Sequence, residues 1–182
     1  SVYPMNTKEN RTQQAIMSSL LKLLENKNDI QQIKIIDILK KDEIAKGTFY
    51  KYFRTKEDLI QKTLAFYMDN ANKILDETFL LDSSERTRKK FVIFVNLHKR
   101  EYRCLPLLYG KAITNLSILL EPLRESLKRN NYPQPLIGIH PIFLSLIEDN
   151  EDLTKETLSN KIQETIRQKS EEILLLKKAN GQ

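Results

Sequence analysis

The residues best suited to chemistry in this sequence form a basic and aromatic stretch from residue 46 to residue 53. If the stretch is helical, Phe49 and Phe53, with Ile44 just before it, form an apolar back that can pack on a neighbouring helix. Gly47 lets one backbone approach another closely. The opposite face carries lysine, threonine and tyrosine side chains, which are suited to phosphate oxygens or base edges. These polar residues are Lys46, Thr48, Tyr50, Lys51 and Tyr52.

The segments on either side of this stretch complete a helix pair. A preceding helix of about eight to ten residues is predicted from Ile35, Ile38 and Leu39, and a tight turn joins it to the helix of residues 46–53. Thr55 is a candidate N-cap for the next helix, and Lys56 adds positive charge at a helix N-terminus that already attracts phosphate. This arrangement is typical of proteins that place a helix in the DNA major groove.

Residues 33–53 with residues 55–59 resemble, without a gap, the N-terminal helix-turn-helix of the tetracycline-repressor (TetR/AcrR) family. The most specific matches are 46–53 and 56–59, and with the first helix the resemblance covers residues 7–60. It implies an all-α fold, in which a three-helix DNA-binding domain precedes a helical domain that binds an effector and dimerises. It also implies these DNA-contacting residues: Lys34, Lys46, Gly47, Thr48, Tyr50, Lys51, Tyr52 and Lys56. Beyond Phe79 the resemblance is only architectural.

The turn of the helix pair departs from the family's pattern. Asp42 and Glu43 stand where a small residue and glycine are usual, and a positive φ at a non-glycine residue costs of order 1 kcal/mol. Ala45 replaces the usual serine or threonine cap, a loss of roughly 1 kcal/mol. The two acidic side chains are also expected near a DNA phosphate. A second function therefore stays open: a helical sensor or protein-interaction module that keeps the fold without specific operator binding.

Other reactive side chains do not combine into a catalytic or metal site. His98 and Cys104 could act as base and nucleophile, but no group orients the base and no oxyanion donor can be named. His98 shares a helix face with Glu101, yet His140 is expected in a remote loop, so no metal-ligand spacing emerges. We therefore expect no enzyme activity, no metal and no cofactor. His98 itself is interpreted either as a core histidine or as a ligand contact in a cavity.

Composition limits the fold class and the cellular location. Only 4 glycines and 6 prolines in 182 residues argue against a turn-rich β fold and favour helices. A single cysteine excludes an internal disulfide. The longest uncharged run, residues 130–147, contains prolines and a glycine that exclude a membrane-spanning helix. The first residues show no secretory signal, so we expect a cytoplasmic protein without a membrane segment.

Positive charge is concentrated at the N-terminal end. The net charge is +6, and residues 1–55 carry ten Lys or Arg against six Asp or Glu. Most of the excess therefore lies in the first third of the chain, which favours a polyanion such as double-stranded DNA as a partner of that end.

Apolar residues recurring every three or four positions predict the remaining helices. The predicted helices cover about residues 7–26, 55–79, 84–104, 113–127 and 153–178, with Ser83 or Ser84 as a cap and a break at Leu105–Pro106. Pro122 either kinks or restarts its helix, and residues 130–140 are expected to form a loop. We divide the chain into a helix-turn-helix domain at 1–55 and a ligand-binding and dimerisation domain at 56–182.

Two groups of residues in the second domain are candidates for binding. The first mixes aromatic bulk with a few polar tips, as small-molecule cavities do, and core packing is the alternative for each member. It consists of Phe66, Phe94, His98, Tyr102, Leu105, Tyr109, Ile113 and Leu116, expected among the fourth to seventh helices. The second is an apolar stripe for a homodimer, with packing on its own chain as the alternative. It consists of Leu158, Ile162, Ile166 and Ile173. The expected function is a repressor-type regulator that binds a pseudo-palindromic operator and is released by a small molecule.

Overall fold

The computed structural model describes residues 8–80, 82–111 and 113–181, and all regular secondary structure in these ranges is helical. The α-helices are α1 (Lys8–Lys27), α2 (Ile35–Asp42), α3 (Lys46–Tyr52), α4 (Lys56–Thr78), α5 (Glu85–Cys104), α6 (Leu120–Asn130), α7 (His140–Glu148) and α8 (Lys155–Ala179). Short 3₁₀ helices occupy Ile30–Gln32, Leu105–Tyr109, Leu116–Leu119 and Gln134–Gly138. The all-α prediction is confirmed. The predicted start of the first helix at Thr7 lies outside the described residues.

Within the described ranges, no helix has both the length and the apolar character that crossing a membrane requires.

The predicted helix start at Thr55 is confirmed by its capping hydrogen bond, and of the two predicted caps Ser83 and Ser84 it is Ser84 that caps the next helix. The Thr55 hydroxyl accepts from the N–H of Asp58 at 3.0 Å, and the Ser84 hydroxyl accepts from the N–H of Thr87 at 3.1 Å. Each bond satisfies an N–H group that the first turn of a helix leaves without a backbone partner. Both long central helices, α4 and α5, therefore begin where the sequence predicts.

Two expectations for the second half of the chain are corrected. Residues 130–140 include the 3₁₀ helix Gln134–Gly138, and α7 follows them, although periodicity did not predict it. His140 is the buried first residue of α7 rather than part of a remote loop, and its Nε2 lies 2.8 Å from Asn72 Oδ1 on α4.

Pro122 lies in the first turn of α6, where a missing N–H removes no helical hydrogen bond, so the helix restarts there.

One continuous apolar core connects the N-terminal helices to the rest of the chain. On α1 five apolar side chains are fully buried: Ile16, Met17, Leu20, Leu21 and Leu24. This helix packs against both α2 and α5. In turn α4 packs against α5 and α6, and α5 packs against α7 and α8. The helix pair α2–α3 is thus attached to the body through α1 and the start of α4.

Polar side chains on α5 hold the connection between α7 and α8. The Asn96 amide bonds both backbone groups of Leu153, at 2.9 and 2.8 Å. The buried Lys99 ammonium donates to the carbonyl oxygens of Asp149 and Glu151, at 3.1 and 2.8 Å. A cation is suited to the carbonyl groups that a helix C-terminus leaves unpaired. These bonds fix the point from which α8 begins.

The buried carboxylate of Asp69 on α4 is a polar link to α6. Its Oδ1 accepts from the Ser126 hydroxyl at 2.6 Å, the Arg129 guanidinium at 2.5 Å and the Asn130 amide at 2.8 Å. Because three donors converge on this buried oxygen, loss of the carboxylate would leave the buried Ser126 hydroxyl without its acceptor and would remove the ion-pair partner of Arg129.

We expect Asp69→Ala to lower the free energy of unfolding by about 2–4 kcal/mol, because it strands these donors. The matched control is Glu164→Ala, which removes a carboxylate from an exposed ion pair with Arg167 and should cost less than about 1 kcal/mol. Urea unfolding followed by circular dichroism compares the two variants. Equal and small losses would contradict the role assigned to Asp69.

Candidate nucleic-acid interface and the adjoining cavity

The turn between α2 and α3 contains the residues that differ from the sequence pattern of the tetracycline-repressor family. Glu43 adopts a φ of 52°, in the left-handed region that favours glycine, so the turn keeps this conformation with a non-glycine residue. The N–H of Ile44 donates to the carbonyl of Leu39 at 3.0 Å and closes the end of α2. Ala45 is the N-cap of α3 and makes no side-chain capping bond. Capping therefore contributes little to the stability of α3.

Asp42 ties α2 to α1. Its Oδ1 accepts a hydrogen bond from the Ser19 hydroxyl of α1 at 2.5 Å, and the side chain is only partly exposed. Glu43 beside it is exposed. The carboxylate of Asp42 is thus engaged by α1, whereas that of Glu43 faces solvent, and the expected proximity of both side chains to a DNA phosphate stays a prediction.

The predicted apolar back of α3 is confirmed. Phe49 and Phe53 are fully buried with their ring centroids 5.6 Å apart, and Ile44 packs against the same core. A helix of seven residues is not stable alone. Burial of an aromatic side chain contributes about 1.5–3 kcal/mol, so these two rings hold α3 in place.

The polar side of α3 faces solvent. The exposed residues are Lys46, Gly47, Thr48, Tyr50 and Lys51, and Tyr52 is half-buried. A Cβ atom added at Gly47 would meet no described atom within 4 Å, so the close backbone approach expected there is not made within the chain. The outer surface of α3 at Gly47 is therefore open to an external partner.

Two of the predicted cations have partners in the free protein. Lys51 Nζ forms an exposed ion pair with Glu9 of α1 at 3.0 Å, and the hydrogen bond from Lys51 to Glu9 raises the pKa of Lys51. Lys56 Nζ donates to the carbonyl of Ile30 and so supports the 3₁₀ helix before α2. Lys34 is exposed at the N-cap of α2. The predicted DNA-contacting residues thus lie in three consecutive places: the N-cap of α2, α3, and the first turn of α4.

A cavity of about 300 Å³ lies between α1, α4 and α5. The predicted ligand-binding residues that line it are Phe66, Phe94, His98 and Tyr102. The sequence did not single out as ligand contacts the other wall residues used below, which are Gln14 and Ser18 on α1, Tyr67, Lys73 and Glu77 on α4, and Glu101 on α5. Because residues on separate helices form the wall, no local sequence pattern could have identified the contribution of α1.

The other predicted ligand-binding residues do not line this cavity. Leu105 and Leu116 are buried in the core, Tyr109 is exposed and Ile113 is half-buried. The 3₁₀ helix that begins at Leu105 redirects the chain after α5, which separates these residues from the cavity. The cavity therefore adjoins α1 instead of lying among the fourth to seventh helices.

Glu101 supplies a carboxylate to the cavity wall. The Tyr67 hydroxyl donates to it, and His98 Nδ1 lies 3.6 Å from Glu101 Oε1. Burial acts to raise the pKa of Glu101, but hydrogen bonds from His98 and Tyr67 outweigh it, and the pKa is lowered. Burial, and then the Glu101 charge, raises the pKa of Tyr67. At neutral pH Glu101 is therefore ionised and Tyr67 protonated. His98 is partly exposed at this wall, which corrects its interpretation as a core histidine.

Cys104 and His140, two of the residues considered for catalysis or metal binding, are held in the core. Cys104 is buried, and burial raises the pKa of its thiol to about 11. Burial, with a contribution from Arg124, lowers the pKa of His140 to about 4. In the part of the chain that the structure describes, no group of three or more His, Cys, Asp or Glu side chains could hold a metal ion.

The apolar stripe of α8 divides into a buried and an exposed part. Leu158 and Ile162 are fully buried in the core of their own chain, and Ile166 is partly buried against it. Ile173 is more than half exposed, as are the three leucines that follow it at 174–176. The exposed part is thus the end of the helix, where four consecutive apolar side chains point outward around the helix axis.

Comparison with protein families gives no match for this chain, and no solved structure matches it. Over 51 residues, or 28% of its length, the chain is 39% identical to a Bacillus subtilis (strain 168) protein named uncharacterized HTH-type transcriptional regulator YxbF. The matched segment spans 13% of the length of that protein. This similarity supports a distant relationship to a helix-turn-helix regulator.

We expect Glu43→Gly to raise the free energy of unfolding by about 1 kcal/mol, because glycine adopts the left-handed conformation without the steric cost of a side chain. Lys40→Gly in the interior of α2 is the control, since glycine there should destabilise the helix by about 1 kcal/mol. Thermal unfolding of both variants measures the difference. If Glu43→Gly instead lowers the free energy of unfolding, the prediction is wrong, because the Glu43 side chain then stabilises the fold by more than its left-handed conformation costs.

Proposed function

We propose that the chain is a DNA-binding transcriptional regulator of the TetR type, and not an enzyme, with α3 as the helix that enters the major groove. The observation that carries this proposal is the division of α3 into a fully buried aromatic back and an exposed polar front. The open space at Gly47 fits a helix that approaches a nucleic-acid backbone closely. The partial similarity to a helix-turn-helix regulator is a second, independent support.

The ion pair between Lys51 and Glu9 is compatible with phosphate binding. Both side chains are more than half exposed, and an exposed ion pair contributes at most about 1 kcal/mol. A DNA phosphate can therefore replace Glu9 as the partner of Lys51. Lys56 has a mixed role, because its ammonium also supports the carbonyl of Ile30. We assign phosphate contacts first to Lys46 and Lys51.

A homodimer completes this proposal. Two-fold symmetry would place two copies of α3 in successive major grooves and match a pseudo-palindromic operator. The exposed apolar end of α8, residues 173–176, supports a dimer contact there, while Leu158 and Ile162 would support it only indirectly from the core of each chain. Such a regulator would act in the cytoplasm, as a repressor that a small molecule releases from DNA.

One observation favours the alternative of a sensor or interaction module without specific operator binding. Glu43 places an exposed negative charge in the turn next to α3, where it would repel a phosphate. Gel-shift titration with the DNA upstream of the gene separates the two functions. Specific binding supports the regulator, and uniformly weak binding to all sequences supports the alternative.

We expect Lys46→Ala and Lys51→Ala each to weaken DNA binding and to reduce the salt-dependence slope by about 0.9, because each would remove one phosphate contact. Lys128→Ala on α6 is the control, since it removes the same charge from an exposed position in the body. The measurement is binding affinity over a series of salt concentrations. A slope unchanged in both α3 variants would contradict the proposed DNA face.

We expect Leu175→Glu to convert the dimer into a folded monomer, because a charge would enter an interface formed by exposed apolar side chains. Leu80→Glu is the control at another exposed leucine. Sedimentation equilibrium at micromolar concentration measures the mass of both variants. A monomeric parent protein would exclude a dimer through this surface.

A further inference from the structure

Aromatic rings surround much of the cavity between α1, α4 and α5. The rings of Tyr67 and Tyr102 meet edge to face with centroids 5.2 Å apart, and Phe66 and Phe94 pack on them at 5.5 and 5.8 Å. The negative face of an aromatic ring attracts cations, and its hydrocarbon surface accepts an apolar ligand. Such a wall is suited to a molecule that combines an apolar body with a positive charge.

The charges around the cavity are arranged with the negative charge inside. Lys73 and Glu77 are both exposed, lie one helical turn apart on α4 and offset each other. Glu101 is largely buried in the wall, with a side chain only 17% exposed. The Tyr67 hydroxyl donates to its carboxylate, His98 Nδ1 lies 3.6 Å from Oε1, and the charge of Lys22 on α1 also acts on it. The two carboxylate oxygens can accept about four hydrogen bonds. Glu101 therefore has capacity for a further donor that enters from the cavity.

We infer that this cavity binds a protonated organic amine, with the ammonium group on Glu101 and the apolar part against Phe66, Phe94 and Tyr102. A volume of about 300 Å³ fits a small, one- or two-ring amine rather than a larger drug-like molecule. This inference rests on the proposed ligand response of the regulator and assigns the chemical class of its ligand.

The position of the cavity also indicates how the amine would act on α3. Gln14 and Ser18 of α1 line the cavity. The same helix packs against α2, and its Ser19 bonds Asp42 at the end of α2. An amine that displaces α1 relative to α4 would therefore move the helix pair through these two contacts.

Three probes of one size and different charge test the inference on the free full-length protein without DNA. They are naphthylethylamine, naphthylethanol and naphthylacetate, and calorimetric titration measures their affinities. We expect the amine to bind at least about tenfold more tightly than the alcohol, as a charge-assisted hydrogen bond predicts, and the acid to bind most weakly. Equal affinities, or tighter binding of the acid, would overturn the inference.

Two variants assign the preference to Glu101. Glu101→Gln should reduce the affinity for the amine to that for the alcohol, whereas Glu121→Gln, at an exposed carboxylate outside the cavity, should preserve the preference. His98→Lys places a competing ammonium beside Glu101 and should also abolish the preference for the amine over the alcohol. This variant tests the inference if Glu101→Gln fails to fold. An amine preference that survives in a folded Glu101→Gln or His98→Lys variant would overturn the assignment.

A gel shift with and without the amine separates this inference from the proposed function. Amine binding that lowers DNA affinity about tenfold corresponds to roughly 1.4 kcal/mol of coupling and supports both. Amine binding by a protein that fails to bind DNA supports the ligand site and contradicts the regulator. DNA binding by a protein that shows no amine preference contradicts the ligand site alone.

Discussion

The structure depends on the packing of α1 against two partners at once. Five apolar side chains of this helix are fully buried, and it contacts both α2 and α5. Each such side chain contributes about 1.5–3 kcal/mol when buried, so α1 is far more firmly held than the seven-residue α3 could be by its own backbone. The orientation of the polar face of α3 is set by this packing and by the start of α4.

Because α1 packs on both parts of the chain, the division at residue 55 is visible in the sequence pattern but does not separate two apolar cores. The apolar core continues from α1 through α4 and α5 to α8. Polar contacts cross the division as well, because Glu25 of α1 pairs with Arg100 of α5. A helix that belongs to the DNA-binding unit by sequence is thus also a wall of the body. The cavity lies at that junction, next to the elements that position α3.

The sequence predicted the features whose signals are local. The caps Thr55 and Ser84 and the buried pair Phe49 and Phe53 follow from neighbouring residues, and all four are confirmed. The short helix α7 was not predicted, because Pro141 at its start and its mostly apolar sequence hide the helical period. The contributions of α1 to the cavity could not be predicted, because Ser18 and Glu101 come together only through tertiary packing.

The turn between α2 and α3 shows how a local loss is offset by tertiary structure. Glu43 in a left-handed conformation and Ala45 without a capping oxygen each cost about 1 kcal/mol. Burial of Phe49 and Phe53 exceeds that cost. Asp42 adds a bond to Ser19, which joins the end of α2 directly to α1. The turn therefore depends less on its own backbone and more on its attachment to α1.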